Sequence, residues 1–143
     1  MDELYKYDSN SIGTKGLVFI GDNLLVYRRD ANTTSYPLHL DLPGGGAEGT
    51  ETPFDTFKRE VFEEFGLKIE PENIVYMRRY PSVLRPGMSA CFPVAKLSSE
   101  AEADIKFGHE GLGYMLMPIT EYVVRTDAWP IFQERAVDYM KSI

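Results

Sequence analysis

The 143-residue chain sets 15 Lys and Arg against 22 Asp and Glu, a net charge of −7. That balance argues against binding extended nucleic acid, which needs a basic face to displace counterions, and a polyanionic ligand would need cations to mediate its approach. With 43% apolar and 26% charged residues, no run of roughly 20 apolar residues and a polar start (MDELYKYDSN), the chain reads as a globular cytoplasmic protein without a membrane segment.

One domain over residues 1–143 is expected at this length, with a core large enough to need no disulfide. Cys91 stands alone, which excludes an internal disulfide and fits a reducing compartment, and it reads as a buried, inert thiol. In chain order, Lys15 to Ile20 and Leu24 to Tyr27 flank Gly21-Asp22-Asn23 and predict a hairpin. A polar loop from Arg29 to Tyr36 leads to an alternating strand, Leu38 to Leu42, which should end at the turn Pro43-Gly44-Gly45-Gly46. Thr52-Pro53-Phe54-Asp55 predicts a helix start: Thr52 as N-cap, Pro53 at the first helical position and Asp55 completing a capping box. Gly66 should end that helix as a left-handed cap. Ile74 to Tyr80, Ala90 to Lys96 and Leu112 to Met117 predict further strands, and Asp127 is the expected cap of a last helix, Ala128 to Lys141, whose Ile131, Phe132, Arg135, Val137 and Tyr139 give a loose apolar stripe. Strands interleaved with two helices predict an α/β (α+β) layering, a mixed sheet between helices.

On the central helix, Phe54, Phe57, Val61 and Phe65 fall within a face roughly 80° wide that should dock on the sheet. Glu60, Glu63 and Glu64 form a second arc about 100° wide beside it, three and four residues apart, so the carboxylates share one flank. Such like charges repel unless a cation neutralises them, and Arg59, four before Glu63, is one candidate. Hard oxygen donors without His or Cys favour Mg²⁺ or Mn²⁺ over zinc, and magnesium bound by few carboxylates takes phosphate oxygens as further ligands. Glycines 44–46 let backbone come close to an ion or phosphate.

Either feature alone is weak, since acidic helix ends and glycine turns are common. Together, Gly45, Glu51, Arg59, Glu60, Val61, Glu63, Glu64, Gly66 and Leu67 fill every fixed position of G-x5-E-x7-R-E-U-x-E-E-x-G-U, where U is aliphatic. Residues 45–67 thus resemble the box of the Nudix (MutT-like) hydrolase family, in the context of strand, glycine loop and capped helix. The resemblance implies a Nudix α/β/α sandwich with a mixed sheet. It also implies a pyrophosphatase that cleaves a nucleoside diphosphate linked to another moiety, such as a nucleoside triphosphate or ADP-ribose.

By the same resemblance Glu60, Glu63 and Glu64 are metal ligands for Mg²⁺ or Mn²⁺, with the Gly44 carbonyl completing the set. Arg59 and Glu51 orient the carboxylates, and Gly45 and Gly66 shape the box. The general base is a box glutamate, Glu63 or Glu64, or a glutamate in a later loop, here Glu110 in FGHEGLG. Among Arg28, Arg29, Arg78, Arg79 and Arg85, which suit phosphate contacts, Arg28, Arg29 and Arg79 with Gly45 are the expected substrate contacts. The partner is a small nucleotide, with a homodimer left open because many family members dimerise. Two other readings are an enzyme acting on the 5′ end of RNA and a non-enzymatic nucleotide sensor; the acidic charge speaks against the first and the intact glutamates against the second.

Overall fold

The computed structural model describes residues 1–143. Its strands are β1 (Ser11–Lys15), β2 (Leu17–Ile20), β3 (Asn23–Arg28), β4 (Leu40–Asp41), β5 (Gly44–Gly46), β6 (Ile74–Pro81), β7 (Ser89–Leu97) and β8 (Gly113–Met117). The α-helices are α1 (Pro53–Phe65), α2 (Ile119–Tyr122) and α3 (Pro130–Lys141). None is long and apolar enough to cross a membrane.

All eight strands join one mixed sheet. β1 and β2 are two halves of a strand broken at Gly16, and both run parallel to β7, whose other edge carries antiparallel β6. The break makes a fork. Before it β1 pairs antiparallel with β5; after it β2 pairs with β3, and β3 with β4 and β8. Gly16 is required there because a Cβ would come within 2.0 Å of the Pro93 carbonyl oxygen, while its own N–H donates to Pro43 O at 3.1 Å.

Two cores sandwich the sheet. On one face Phe54, Phe57, Val61 and Phe65 of α1 pack with Val18, Leu25 and Cys91. On the other, Ala136 and Tyr139 of α3 pack with Leu17, Val26, Leu40 and Phe92. Each large side chain taken fully out of water contributes about 1.5–3 kcal/mol, so the apolar face of α1 fixes the helix firmly. Its ends match the sequence expectation. Thr52 Oγ1 accepts from Asp55 N–H, Asp55 Oδ2 accepts from Thr52 N–H (both 3.1 Å), and Gly66 takes φ 70°.

Four expectations are corrected. The first strand begins at Ser11, because residues 11–14 find partners in both β5 and β7. The strand expected over Leu38 to Leu42 shrinks to Leu40–Asp41, since Tyr36 (φ 48°) and Leu38 (φ 62°) leave the extended region and the Leu40 N–H donates to Asp127 O. The glycine turn is itself strand β5, pinned against β1; at Gly44 (φ 128°) a Cβ would lie 2.1 Å from Thr14 O. The last helix is capped at Trp129 rather than Asp127, whose carboxylate binds Arg28 and Arg125 instead.

Candidate active site

The fork brings β5 alongside α1, and the acidic flank of the helix faces the opening. Glu64 is the deepest carboxylate, 7% exposed, and its Oε1 accepts the Gly44 N–H at 3.0 Å. Its other oxygen accepts no hydrogen bond, and no cation contacts it. Burial pushes the Glu64 carboxyl up to about 8, the nearby Lys15 charge and the Gly44 N–H offsetting only part of the desolvation. Glu60 is also raised, first by burial, while Arg59 pulls the other way. Glu63 is the most exposed of the three.

Arg59 is the organiser. Its guanidinium donates to Glu51 Oε2 (2.7 Å) and Oε1 (3.0 Å), Glu60 Oε1 (2.9 Å), Glu63 Oε2 (3.3 Å) and Gly46 O (2.9 Å). These bonds hold Glu51 below the usual carboxylate range. Glu51 in turn accepts from Thr56 Oγ1 and the Glu48 N–H, which ties the loop before the helix to the helix itself. With Arg59 engaging Glu60 and Glu63, and Gly44 engaging Glu64, the carboxylates share a flank but are not gathered into a ready-made cage of three ligands.

The loop before β8 closes over this flank. Lys106 and Gly108 donate backbone N–H bonds to Phe65 O (2.8 Å) and Glu64 O (2.7 Å), and Gly111 N–H reaches Asp30 Oδ2 at 3.3 Å. Glu110 at its tip therefore joins Glu60, Glu63, Glu64, Gly108 and His109 around one cavity of about 210 Å³ with no apolar side chain in its walls. Glu110 is exposed, has no ion-pair partner, and its charge helps raise Glu60.

The donor chemistry fits a hard divalent cation. Four carboxylates line one small polar cavity, only Glu60 and Glu63 among them bonded to Arg59, and the deepest carboxylate is left with an unpartnered oxygen. Gly44 abuts this group through its N–H, and Gly66 ends the helix behind it.

Gly45 is packed against Glu60, since a Cβ there would lie 2.6 Å from the carboxylate carbon and 2.8 Å from both oxygens. Gly45→Ala should therefore displace Glu60 from Arg59. The expected result is a loss of metal-dependent turnover of about tenfold or more, the usual effect of disturbing a ligand's supporting contacts, with far-UV circular dichroism unchanged. Wild-type turnover would show that Glu60 has room to move.

The expected arginines disperse. Arg28 is bound to Leu38 O and Asp127, and Arg79 to Asp8, Glu3 and Ser89 at the N-terminal segment, so neither borders the acidic cavity. Arg29 donates to Asp41 (2.8 Å), Thr33 and Ser35 O, and shares an adjoining pocket of about 190 Å³ with Glu110. The buried Asp41 gathers Lys15, Arg29 and the Tyr27 hydroxyl on Oδ2.

A second cavity, about 310 Å³ and mostly apolar, lies between α3, the β1–β5 edge and the β6–β7 loop, with Gly45 and Gly46 in its wall. Lys15, Trp129, Phe132 and Arg135 line it, and sequence reasoning singled out none of them as functional. The only signal was Phe132 and Arg135 on a loose apolar stripe of the last helix, which cannot tell a core residue from a cavity wall.

A mixed, forked sheet between helical layers, with a carboxylate-lined cavity beside a capped helix, defines an α/β/α protein with a polar site at a strand–helix junction. The NUDIX domain family model matches residues 13–138, and the chain belongs to the Nudix hydrolase family. Solved structures agree on the fold. The MutT protein from Methanosarcina mazei Go1 is 20% identical with a TM-score of 0.73, covering 92% of this chain and 94% of its own. A Caenorhabditis elegans Ap4A hydrolase, in a binary complex, is 14% identical with a TM-score of 0.65 and covers 92% and 99%. A bifunctional NMN adenylyltransferase/ADP ribose pyrophosphatase from Francisella tularensis, complexed with AMP and a Mn ion, is 16% identical with a TM-score of 0.62, over 85% of this chain and 36% of its own. No curated protein matches.

Proposed function

We propose that this chain, as one domain over residues 1–143, is a metal-dependent pyrophosphohydrolase of a small nucleotide, cleaving the phosphoanhydride of a nucleoside diphosphate linked to another moiety. The observation that carries the reading is the junction at Gly45: a four-carboxylate cavity on one side and a largely apolar cavity sized for a nucleobase on the other. A nucleotide's polyphosphate and base differ in the same way. Neighbours named as Ap4A hydrolase and ADP ribose pyrophosphatase share the fold and support the substrate class.

Glu60, Glu63 and Glu64, with the Gly44 backbone beside them, would hold Mg²⁺ or Mn²⁺. When bound, such an ion neutralises phosphate charge and acts as a Lewis acid on the phosphoanhydride. Arg59, itself held by Glu51, fixes Glu60 through a direct bond, and the Gly44 N–H fixes Glu64. Glu110 is the exposed, unpaired carboxylate of the cavity and the group free to take a proton from the attacking water. Glu110→Gln should then lower kcat by about 10²–10⁴-fold, the usual range for a general base, while Mn²⁺ affinity measured by calorimetry changes little. Unchanged kcat would return the base to a box glutamate.

The function is tested by product analysis on nucleoside triphosphates, 8-oxo-dGTP, ADP-ribose, sugar nucleotides, dinucleoside polyphosphates and capped RNA with Mg²⁺ or Mn²⁺. A nucleoside monophosphate released from one class supports the proposal and names the branch. Turnover of capped RNA alone would favour the RNA-end reading. Metal binding without turnover of any of them would favour a nucleotide sensor.

A further inference from the structure

The apolar cavity beside α3 holds a charged side chain with no partner. Arg135 is only 7% exposed, yet no carboxylate lies within ion-pair distance, and its Nε has no hydrogen-bond partner. The guanidinium instead packs over two aromatic faces, its Cζ 4.5 Å from the Tyr80 ring centroid and 5.6 Å from that of Phe132. The Tyr80 hydroxyl donates to Asp138, so the nearest acid on α3 is already engaged, by Tyr80 and by Arg78. Trp129, one turn before Phe132, also has a buried indole Nε1 without an acceptor. Buried donors without acceptors cost free energy, and natural proteins keep few of them.

We propose that this cavity selects a nucleobase presenting two adjacent acceptors, as the O6/N7 edge of guanine does, and that Arg135 is the specificity-determining residue. The inference rests on the nucleotide reading above and deepens it. Aromatic packing on the face of the guanidinium leaves its donors to act at the edge of its plane, the geometry for a bidentate bond to a flat edge. Adenine offers one acceptor beside an amino donor, so a guanidinium meets one donor with another. Uracil sets an N–H donor between its two carbonyls, and cytosine, whose O2 and N3 are adjacent acceptors, is the one pyrimidine with a comparable edge. An inorganic anion would also find Lys15 and the Trp129 indole N–H in this lining, but the largely apolar walls of Trp129, Phe132, Ile131 and Val83 suit the faces of a ring rather than a hydrated anion.

Trp129 is the only tryptophan and lines this cavity, so its fluorescence responds to occupancy there. The full chain, in EDTA to prevent turnover, is titrated with GMP, AMP, UMP and inorganic phosphate. The expected result is saturable quenching by GMP at least about tenfold tighter than by AMP or UMP, and none by phosphate. Arg135→Met and Arg135→Lys should each erase the GMP-over-AMP ratio; the lysine keeps the charge but lacks the planar pair of donors. Equal affinity for GMP and AMP, absence of saturable GMP quenching, a response to phosphate alone, or a ratio that survives in a folded variant would overturn the proposal. Because the titration needs no metal and no turnover, GMP selectivity in a protein that hydrolyses nothing would sink the hydrolase reading and leave this one standing.

Discussion

Glu64→Gln is expected to reduce metal-dependent turnover by about 10²-fold or more, the scale on which removing one charged group from an active site acts. The fold should survive. Gln is neutral, like the protonated form that burial favours at this position, and its carbonyl can accept the Gly44 N–H that Glu64 accepts at 3.0 Å. What disappears is the negative charge that the carboxyl takes up when a cation displaces its proton, at the base of a cavity whose other carboxylates are in part turned toward Arg59. Steady-state kinetics at saturating Mg²⁺ check the loss, and thermal unfolding checks the fold. Wild-type turnover in a folded variant would remove Glu64 from the catalytic set.

The second large effect concerns the metal-free protein. The Glu64 carboxyl is lifted from an ordinary 4.5 to about 8, so between those pH values the folded chain keeps a proton that the unfolded chain has lost. Stability then falls as pH rises. The protonated form's contribution is fully present below about 4.5 and is lost as pH climbs through about 8, at roughly 1.4 kcal/mol per pH unit for one proton. Glu60, also raised, adds in the same direction. In EDTA, Tm should drop by several degrees from pH 5 to pH 8, and Mg²⁺ should restore more of it at pH 8 than at pH 5, where protons compete for the ligand. Glu64→Gln should flatten the slope and exceed the wild type in Tm at pH 8 without metal. A flat wild-type profile would mean that Glu64 is ionised in the metal-free fold.

The parts legible in the sequence were those governed by local rules. The α1 boundaries followed from Thr52, Pro53, Asp55 and Gly66, and its buried face from helical periodicity, because caps and periodicity act within a few residues. The same spacing placed the three box carboxylates on one flank, and chain order was enough to point to Glu110. What escaped was long-range. Nothing local says that the strand breaks at Gly16, that Gly44–Gly46 pairs with β1, or that Arg79 turns to Asp8 and Glu3. Of the arginines singled out, only Arg29 borders a pocket shared with Glu110, since a charge in a strand pattern does not reveal which acid the fold brings to it. Arg135, on a helix whose stripe looked like ordinary core, became notable only once the fold packed its guanidinium over Tyr80 and Phe132 with no acid beside it.

The most direct test of a carboxylate-held cation driving phosphoanhydride hydrolysis is one activity series on wild type and Glu64→Gln. The best substrate of the panel is assayed with Mg²⁺, after EDTA, and after Mg²⁺ is restored in excess. Wild-type turnover that vanishes with EDTA and returns with Mg²⁺, and a variant about 10²-fold or more below it with Mg²⁺, is the predicted result. Turnover that persists in EDTA, or a variant as active as wild type, would contradict it.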